Sequence, residues 1–249
     1  MIKETINKTL KGKIIMTREQ YSQKVKDIMI HKNPYGTYHQ QNFNTYSAYG
    51  EMTPINSDII NNMPNSKIIL SEEVYGSLLG VQDVTNIEKK EVPFFLYGKE
   101  VENNVIEFDS FITSSSRDNR QRAEANYDEN MRNDLVNKLN NNRYNGFVVC
   151  HGHSHPRGSF SENFSLGDFT SYIQMNQDNQ VFKTKQAELT ACLVTSTGDI
   201  NFVFYDNTSD NFYRFTDVFV KDKNNNLTPV SCYGLNQRER ADITNRSLS

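Results

Sequence analysis

Three histidines stand at alternate positions, His151, His153 and His155, at the end of an apolar run that begins at Phe147. Residues two apart lie on one face of a β-strand, so the three imidazoles should form a row along the strand end. At about 3.3 Å per residue, neighbours in this row lie roughly 6.6 Å apart at the backbone, which lets two imidazoles converge on one zinc ion. The outer two lie twice as far apart, so one metal would take an adjacent pair.

His153 and His155 form the better candidate pair, because Pro156 follows them directly. Proline cannot continue the hydrogen-bonded ladder and turns the chain into a loop, which can bring back Asp168 as a third ligand. Two histidines, a carboxylate and a water make an open zinc site of the catalytic kind. For an isolated His-x-His, hydrogen bonding within a core would be the simpler interpretation. His151 could orient a ligand, contact a substrate at the rim or merely end the strand, and we favour the last.

The two histidines with Pro156, followed by Ser165-x-x-Asp168, resemble the zinc signature of the JAMM metalloprotease family, also called JAB or MPN domains. The family also has an upstream glutamate in the context Glu-x-x-Gly-x-Leu-x-Gly, and residues 73–80, Glu-Val-Tyr-Gly-Ser-Leu-Leu-Gly, match it. Nine residues separate His155 from Ser165, two more than is usual in the family. A loop absorbs such a difference at small entropic cost.

The resemblance implies a zinc-dependent isopeptidase or peptidase, similar to deubiquitinases, in which zinc bound by His153, His155 and Asp168 activates a water. Glu73 would then be the general base and acid, and Ser165 would donate a hydrogen bond to the oxyanion. The substrate would be a protein or peptide, such as the C-terminal tail of a ubiquitin-like protein. Two alternatives remain, a catalytically silent MPN-type scaffold and a metal-dependent phosphoesterase, and the second would need further histidine and aspartate clusters.

The resemblance also implies an α/β fold, a JAB/MPN-like (cytidine-deaminase-like) mixed β-sheet flanked by helices. Residues 1–220 would form the metalloprotease domain, with an insertion at 33–66, and residues 221–249 would form a polar C-terminal segment. The insertion holds dispersed aromatic residues, from Tyr35 to Tyr49, in a polar context. Rings in a polar loop suit contact with an extended peptide, so the insertion is either a substrate-selecting flap or a solvated loop.

Hydrophobic patterns predict the elements that position these residues. Strands are expected at 13–16, 68–70, 75–81, 91–97, 105–112, 147–155, 189–195, 200–205 and 212–219. One helix should begin at Thr17, with Gln20 completing a capping box, and end near His31. Further helices are expected at 118–141 and after Asp168.

Composition limits the partners and the compartment. A net charge of −3 gives no electrostatic reason to expect nucleic acid or an anionic membrane as a partner. The sequence contains neither an apolar run long enough to span a membrane nor the apolar core of a signal peptide, which predicts a cytoplasmic protein. Three scattered cysteines do not make a disulfide framework. The oligomeric state stays open.

Overall fold

The structure is a computed structural model that describes residues 9–10, 13–14, 16–32, 55, 60–114, 127–141, 147–157, 162–178 and 188–234. The helices are α1 (Arg18–Lys32), α2 (Glu72–Glu88), α3 (Glu129–Asn141) and α4 (Leu166–Asp178). The strands are β1 (Thr9–Leu10), β2 (Lys13–Ile14), β3 (Asn61–Asn62), β4 (Lys67–Ser71), β5 (Phe94–Glu102), β6 (Val105–Thr113), β7 (Phe147–Ser154), β8 (Glu188–Val194), β9 (Ile200–Asp206), β10 (Asn211–Phe215), β11 (Val218–Lys221) and β12 (Leu227–Pro229).

Ten of the described strands form one mixed sheet in the order β12-β11-β4-β6-β5-β7-β8-β9-β10-β3. Strand β7 lies near the middle, antiparallel to β5 and parallel to β8. Strands β1 and β2 form a separate antiparallel pair. A twisted sheet of this width curls, and the described sheet forms a half-barrel.

The expectation of a JAB/MPN-like sheet flanked by helices is wrong. The architecture is a curled ten-stranded sheet accompanied by four described helices, and strands dominate it. The difference arises at the two ends of the sheet. There β3, β10, β11 and β12 widen it beyond the strands that surround the histidines.

Two clusters of buried side chains fill the two faces of the sheet. One cluster joins α1, α3 and α4 to the face that carries Phe95, Val149 and Leu193. The other joins α2 to the opposite face, which carries Phe94 and Cys150. Alternate residues of β7 enter the two clusters, as the pleat of a strand requires. Strand β7 is buried over its whole length and so holds its side chains rigidly.

The strand predicted at 75–81 is wrong, because these residues belong to helix α2. Ser71 caps the helix by accepting a hydrogen bond from the Val74 N–H at 3.2 Å. The buried residues of the helix follow the spacing of a helical face, at Val74, Leu78, Val81 and Thr85. A Cβ at Gly76 or Gly80 would have no atom of another described segment within 4 Å, so either position has room for a side chain.

Most other element predictions are confirmed. Helix α1 has the predicted capping box, in which the Thr17 N–H donates to Gln20 and the Gln20 N–H donates to Thr17 Oγ1. Strands β5 and β6 pair antiparallel, and β7 carries the histidines. The strand predicted at 212–219 is divided into β10 and β11. The first part of the helix predicted at 118–141 lies outside the described residues, and the described helix α3 begins at Glu129.

The aromatic residues of the predicted insertion, from Tyr35 to Tyr49, lie outside the described residues. The last part of the insertion joins the main fold, since Ile55 is buried and its N–H donates to the Phe164 carbonyl at 2.8 Å. The C-terminal segment contributes β12 to the sheet, together with the buried side chain of Cys232. None of the described helices has the length and apolar character needed to cross a membrane.

Candidate metal centre

The end of β7 holds His153 and His155 in a buried environment, with only 5% and 7% of their surfaces exposed. The pleat directs His153 to the face packed by Phe164, whose ring centroid lies 6.3 Å away. His155 follows the last residue of the strand, but its N–H still donates to the Val194 carbonyl at 3.0 Å. Both imidazoles are therefore fixed by backbone that belongs to the sheet.

The two Nε2 atoms of His153 and His155 face each other at 3.0 Å. Asp168 lies beside both, with Oδ1 at 3.2 Å from His153 Nε2 and Oδ2 at 3.5 Å from His155 Nε2. Ligands at about 2.0–2.1 Å in a tetrahedral zinc site are about 3.3 Å apart. The separation of the two Nε2 atoms, and their distances to the two oxygens of Asp168, are close to that spacing.

A capping box at the start of α4 positions Asp168. The Asp168 N–H donates to Ser165 Oγ at 3.1 Å, and the Ser165 N–H donates to Asp168 Oδ2 at 2.7 Å. The Ser165 hydroxyl also donates to Oδ2, at 2.8 Å. These bonds occupy Oδ2 and turn Oδ1 towards His153. The Ser-x-x-Asp pattern thus caps helix α4, and the proton of the Ser165 hydroxyl is used in the hydrogen bond to Asp168.

The ionisation of the site follows from these contacts. Burial acts to raise the pKa of Asp168, but His153 and His155 outweigh it and hold that pKa well below its usual range. Burial lowers the pKa of His151 to about 3, and the neighbouring His153 adds to this effect. Asp168 is therefore a carboxylate and His151 a neutral imidazole near neutral pH.

A second carboxylate, from Glu91, reaches the same place. Glu91 is 8% exposed, and its Oε1 lies 4.0 Å from His155 Nε2. One carboxylate oxygen of Glu91 and one nitrogen of each of the two histidines all lie within 4.8 Å of one another. Glu91 precedes β5, the strand that pairs with β7, and this pairing brings it to the histidines. Its separation from His155 is longer than the edge of a zinc tetrahedron, so its oxygen lies just outside the ligand triangle.

Glu73 is exposed, whereas His153, His155 and Glu91 are buried. It lies in the first turn of α2, and no ion pair between described residues joins its carboxylate to a histidine. Residues 91–98, Glu-Val-Pro-Phe-Phe-Leu-Tyr-Gly, repeat the spacing of glutamate, leucine and final glycine found in residues 73–80. Phe94 replaces the first glycine, which hides the match. In the structure a strand, β5, follows Glu91, whereas Glu73 lies in helix α2.

His151 lies next to the cluster without joining it. Its ring packs against Tyr127, with 4.1 Å between centroids, and against Phe95 at 6.1 Å. The Tyr127 hydroxyl donates to the Gly152 carbonyl at 2.6 Å and so ties the start of α3 to β7. His151 is thus a buried neutral side chain within an aromatic group.

The donor set suits one metal ion with an open position. His155 Nδ1 is buried and, within the described part of the chain, has no hydrogen-bond partner. The converging atoms of His153 and His155 are the Nε2 atoms, which are good zinc ligands when neutral.

Comparison with protein-family models and with curated protein sequences found no match for this chain.

Proposed function

We propose that this chain is a zinc-dependent hydrolase that cleaves amide bonds, in peptide or isopeptide linkage, with the chemistry of the JAMM signature. The observation that carries the proposal is the approach of His153, His155 and Asp168: the two Nε2 atoms lie 3.0 Å apart, and Asp168 Oδ1 and Oδ2 lie 3.2 and 3.5 Å from His153 and His155. Zinc held there would make hydroxide available near neutral pH and would polarise the scissile carbonyl.

We assign the role of general base and acid to Glu91 instead of Glu73. A base must lie within hydrogen-bonding reach of the attacking water, directly beside the ligands. The 4.0 Å separation of the Glu91 carboxylate from His155 supports this role. Glu91 would accept a proton from the water and return it to the leaving amine.

We assign Ser165 a positioning role, and this replaces the oxyanion role expected from the sequence. Its hydroxyl has one proton, which is donated to Asp168 Oδ2 at 2.8 Å. Ser165 could donate a hydrogen bond to the oxyanion only if its bond to Asp168 were broken. While it persists, Ser165 keeps Asp168 aimed at His153.

The resemblance of the motif suggests a substrate of the ubiquitin-like class, cleaved after its C-terminal tail. We also propose a cytoplasmic location, in keeping with three buried cysteines that form no disulfide among the described residues. A two-metal phosphoesterase has less support, because the described residues contain a single cluster of metal-binding side chains. A silent scaffold would have no use for a buried carboxylate beside the three ligands.

The test is hydrolysis of a panel of ubiquitin-like fusions and of short peptides by the zinc-loaded protein. The wild type, Glu91→Gln and Glu73→Gln are compared, with and without a chelator. Glu91→Gln should retain zinc and lose about 10²–10⁴-fold in turnover, since an amide cannot shuttle protons. Glu73→Gln is the matched control and should turn over like the wild type.

Two results would overturn parts of this proposal. Loss of turnover in Glu73→Gln, with Glu91→Gln active, would return the base to the helix. A zinc-loaded wild type that cleaves no member of the panel would favour the scaffold.

A further inference from the structure

Ser154, between the two ligand histidines, has its own buried network on the opposite face of β7. Its surface is 0% exposed, and the pleat directs its side chain away from His153 towards α2. The Ser154 hydroxyl lies 2.5 Å from Thr85 Oγ1 and accepts the Val92 N–H at 2.9 Å. This one hydroxyl therefore joins three segments: β7, α2 and the connection before β5.

The direction of each hydrogen bond in this network is determined. Thr85 Oγ1 donates to the Val81 carbonyl at 2.7 Å within α2, which uses its only proton. The bond between the two hydroxyls must then be donated by Ser154 and accepted by Thr85. A lone pair of Ser154 remains for the Val92 N–H. Every group in the network is satisfied in one arrangement only.

The Val92 N–H belongs to the peptide group that joins Glu91 to Val92. A hydrogen bond to it restrains the orientation of that peptide, to which the Glu91 Cα is bonded, and so limits the directions in which the Glu91 side chain can leave the backbone. The connection begins at Lys89, which has a left-handed backbone with φ of 56°, and residues 91–93 belong to neither a helix nor a strand. The Ser154 bond supplies an anchor where regular secondary structure supplies none.

We propose that Ser154 is a positioning residue that sets the Glu91 carboxylate at the metal centre, with Thr85 fixing the direction of its hydroxyl. The inference rests on the proposed role of Glu91. In this proposal strand β7 positions both the two histidine ligands and the segment that carries Glu91. His153 and His155 are presented on one side, and the Ser154 hydroxyl between them holds the segment that carries the base. A catalytic group displaced by about 1 Å can lose about a hundredfold in rate, so a single anchor of this kind matters.

The first experiment is a double-mutant cycle on the full chain loaded with zinc. Ser154→Ala should keep its zinc, lower kcat about 10- to 100-fold and change KM little. In a Glu91→Gln background, the same substitution should cause no further loss, because Ser154 acts through Glu91. A drop of equal size in both backgrounds would overturn the inference.

Thr85 provides a matched pair of variants. Thr85→Ser keeps the accepting hydroxyl and should retain wild-type kcat, whereas Thr85→Val has the same shape without the hydroxyl and should resemble Ser154→Ala. Full activity in Thr85→Val would overturn the proposal, because the proposal requires Thr85 to fix the direction of the Ser154 hydroxyl. If Ser154→Ala fails to fold, the Thr85 pair carries the test by itself.

A measurement without turnover separates this inference from the proposed function. In protein carrying ¹³C-labelled glutamate, the Glu91 carboxyl resonance should shift in Ser154→Ala, and the Glu73 resonance should not. A shifted Glu91 resonance in a protein that cleaves nothing would leave the positioning role standing and the hydrolase refuted. An unshifted resonance with normal turnover would refute the positioning role and leave the hydrolase intact.

Discussion

The residues of the candidate metal cluster are held by three different local devices. The pleat of β7 directs His153, a backbone hydrogen bond to Val194 holds His155, and a capping box fixes Asp168. None of these devices depends on the metal. The donor atoms therefore lie together before any ion binds, which favours tight binding because little ordering remains to be done.

Removal of one ligand should abolish stoichiometric zinc binding. We expect about one zinc per chain in the wild type and little in His153→Ala or Asp168→Ala, since an open site depends on all three protein ligands. Elemental analysis after dialysis measures this. His151→Ala is the control and should keep its zinc, because its ring packs on Tyr127, away from the ligand atoms. Full zinc in both ligand variants would exclude the site.

Replacement of Ser165 separates a capping role from an oxyanion role. Ser165→Ala should lower the free energy of unfolding by about 0.5–2 kcal/mol, as for other lost helix caps, and should weaken zinc binding. Ser165→Thr keeps the capping oxygen and should restore most of both properties. Zinc titration and chemical denaturation measure the two effects. Slower turnover with unchanged zinc affinity would instead return Ser165 to the oxyanion.

At the scale of elements, a glycine in β7 permits the packing of the strand pair beside the site. Gly152 lies opposite Phe94 in the β5–β7 register, and a Cβ at position 152 would come within 2.0 Å of the Phe94 ring. The ring fills the space that a side chain at 152 would need.

Gly152→Ala should destabilise the protein by about 1–3 kcal/mol, because the ring and strand must move apart. Gly80→Ala is the matched control, since nothing lies within 4 Å of a Cβ there and the residue is in the interior of α2. Alanine should stabilise that helix by about 0.5–1 kcal/mol. Urea unfolding of both variants measures the difference. Equal stability of the two variants would show that the Phe94 ring moves aside at little cost in free energy.

Elements with a local signal could be predicted from the sequence. The capping box at Thr17 and the alternation through His151 and His153 needed only neighbouring residues. The apolar run from Tyr75 to Val81 also fits a strand, so helix α2 is not predicted although Val74, Leu78 and Val81 have helical spacing. Residues 91–98 have the same glutamate, leucine and final glycine spacing with Phe94 in place of the first glycine, so the Glu-x-x-Gly pattern selects Glu73 and passes over Glu91.

At the scale of the whole molecule, the candidate site joins distant parts of the chain. Glu91 precedes β5, the histidines end β7 and Asp168 begins α4. A ligand that binds only the folded arrangement stabilises it by about 2.7 kcal/mol at a concentration of one hundred times Kd. For a chain of this size, each kcal/mol raises Tm by about 2–4 °C.

Zinc at that concentration should therefore raise Tm by roughly 5–10 °C over the chelated protein. Calorimetry of the same sample with zinc and with a chelator measures this shift. His153→Ala should show no such difference, as it lacks a ligand. A rise of equal size in His153→Ala would point to zinc bound elsewhere on the chain.

The overall architecture could not be predicted from local patterns. The pairing of β4 with β11 and of β3 with β10 joins strands that are far apart in sequence. Each strand is visible as a short apolar or polar run, but nothing within the run specifies its neighbour. The family resemblance predicts a sheet flanked by helices, whereas the structure, with these distant strand pairs, has a wider and curled sheet.

The position of β4 between β6 and β11 has a consequence during synthesis. At about 5–20 residues per second, β6 leaves the ribosome on the order of ten seconds before β11 exists. In that interval one edge of β4 presents unpaired backbone groups, on which strands of other nascent chains can add. Glu91, both histidines and Asp168 have already been made by then. The candidate metal centre can thus assemble on a sheet that is still open, and slow translation between β6 and β11 should increase aggregation of new chains.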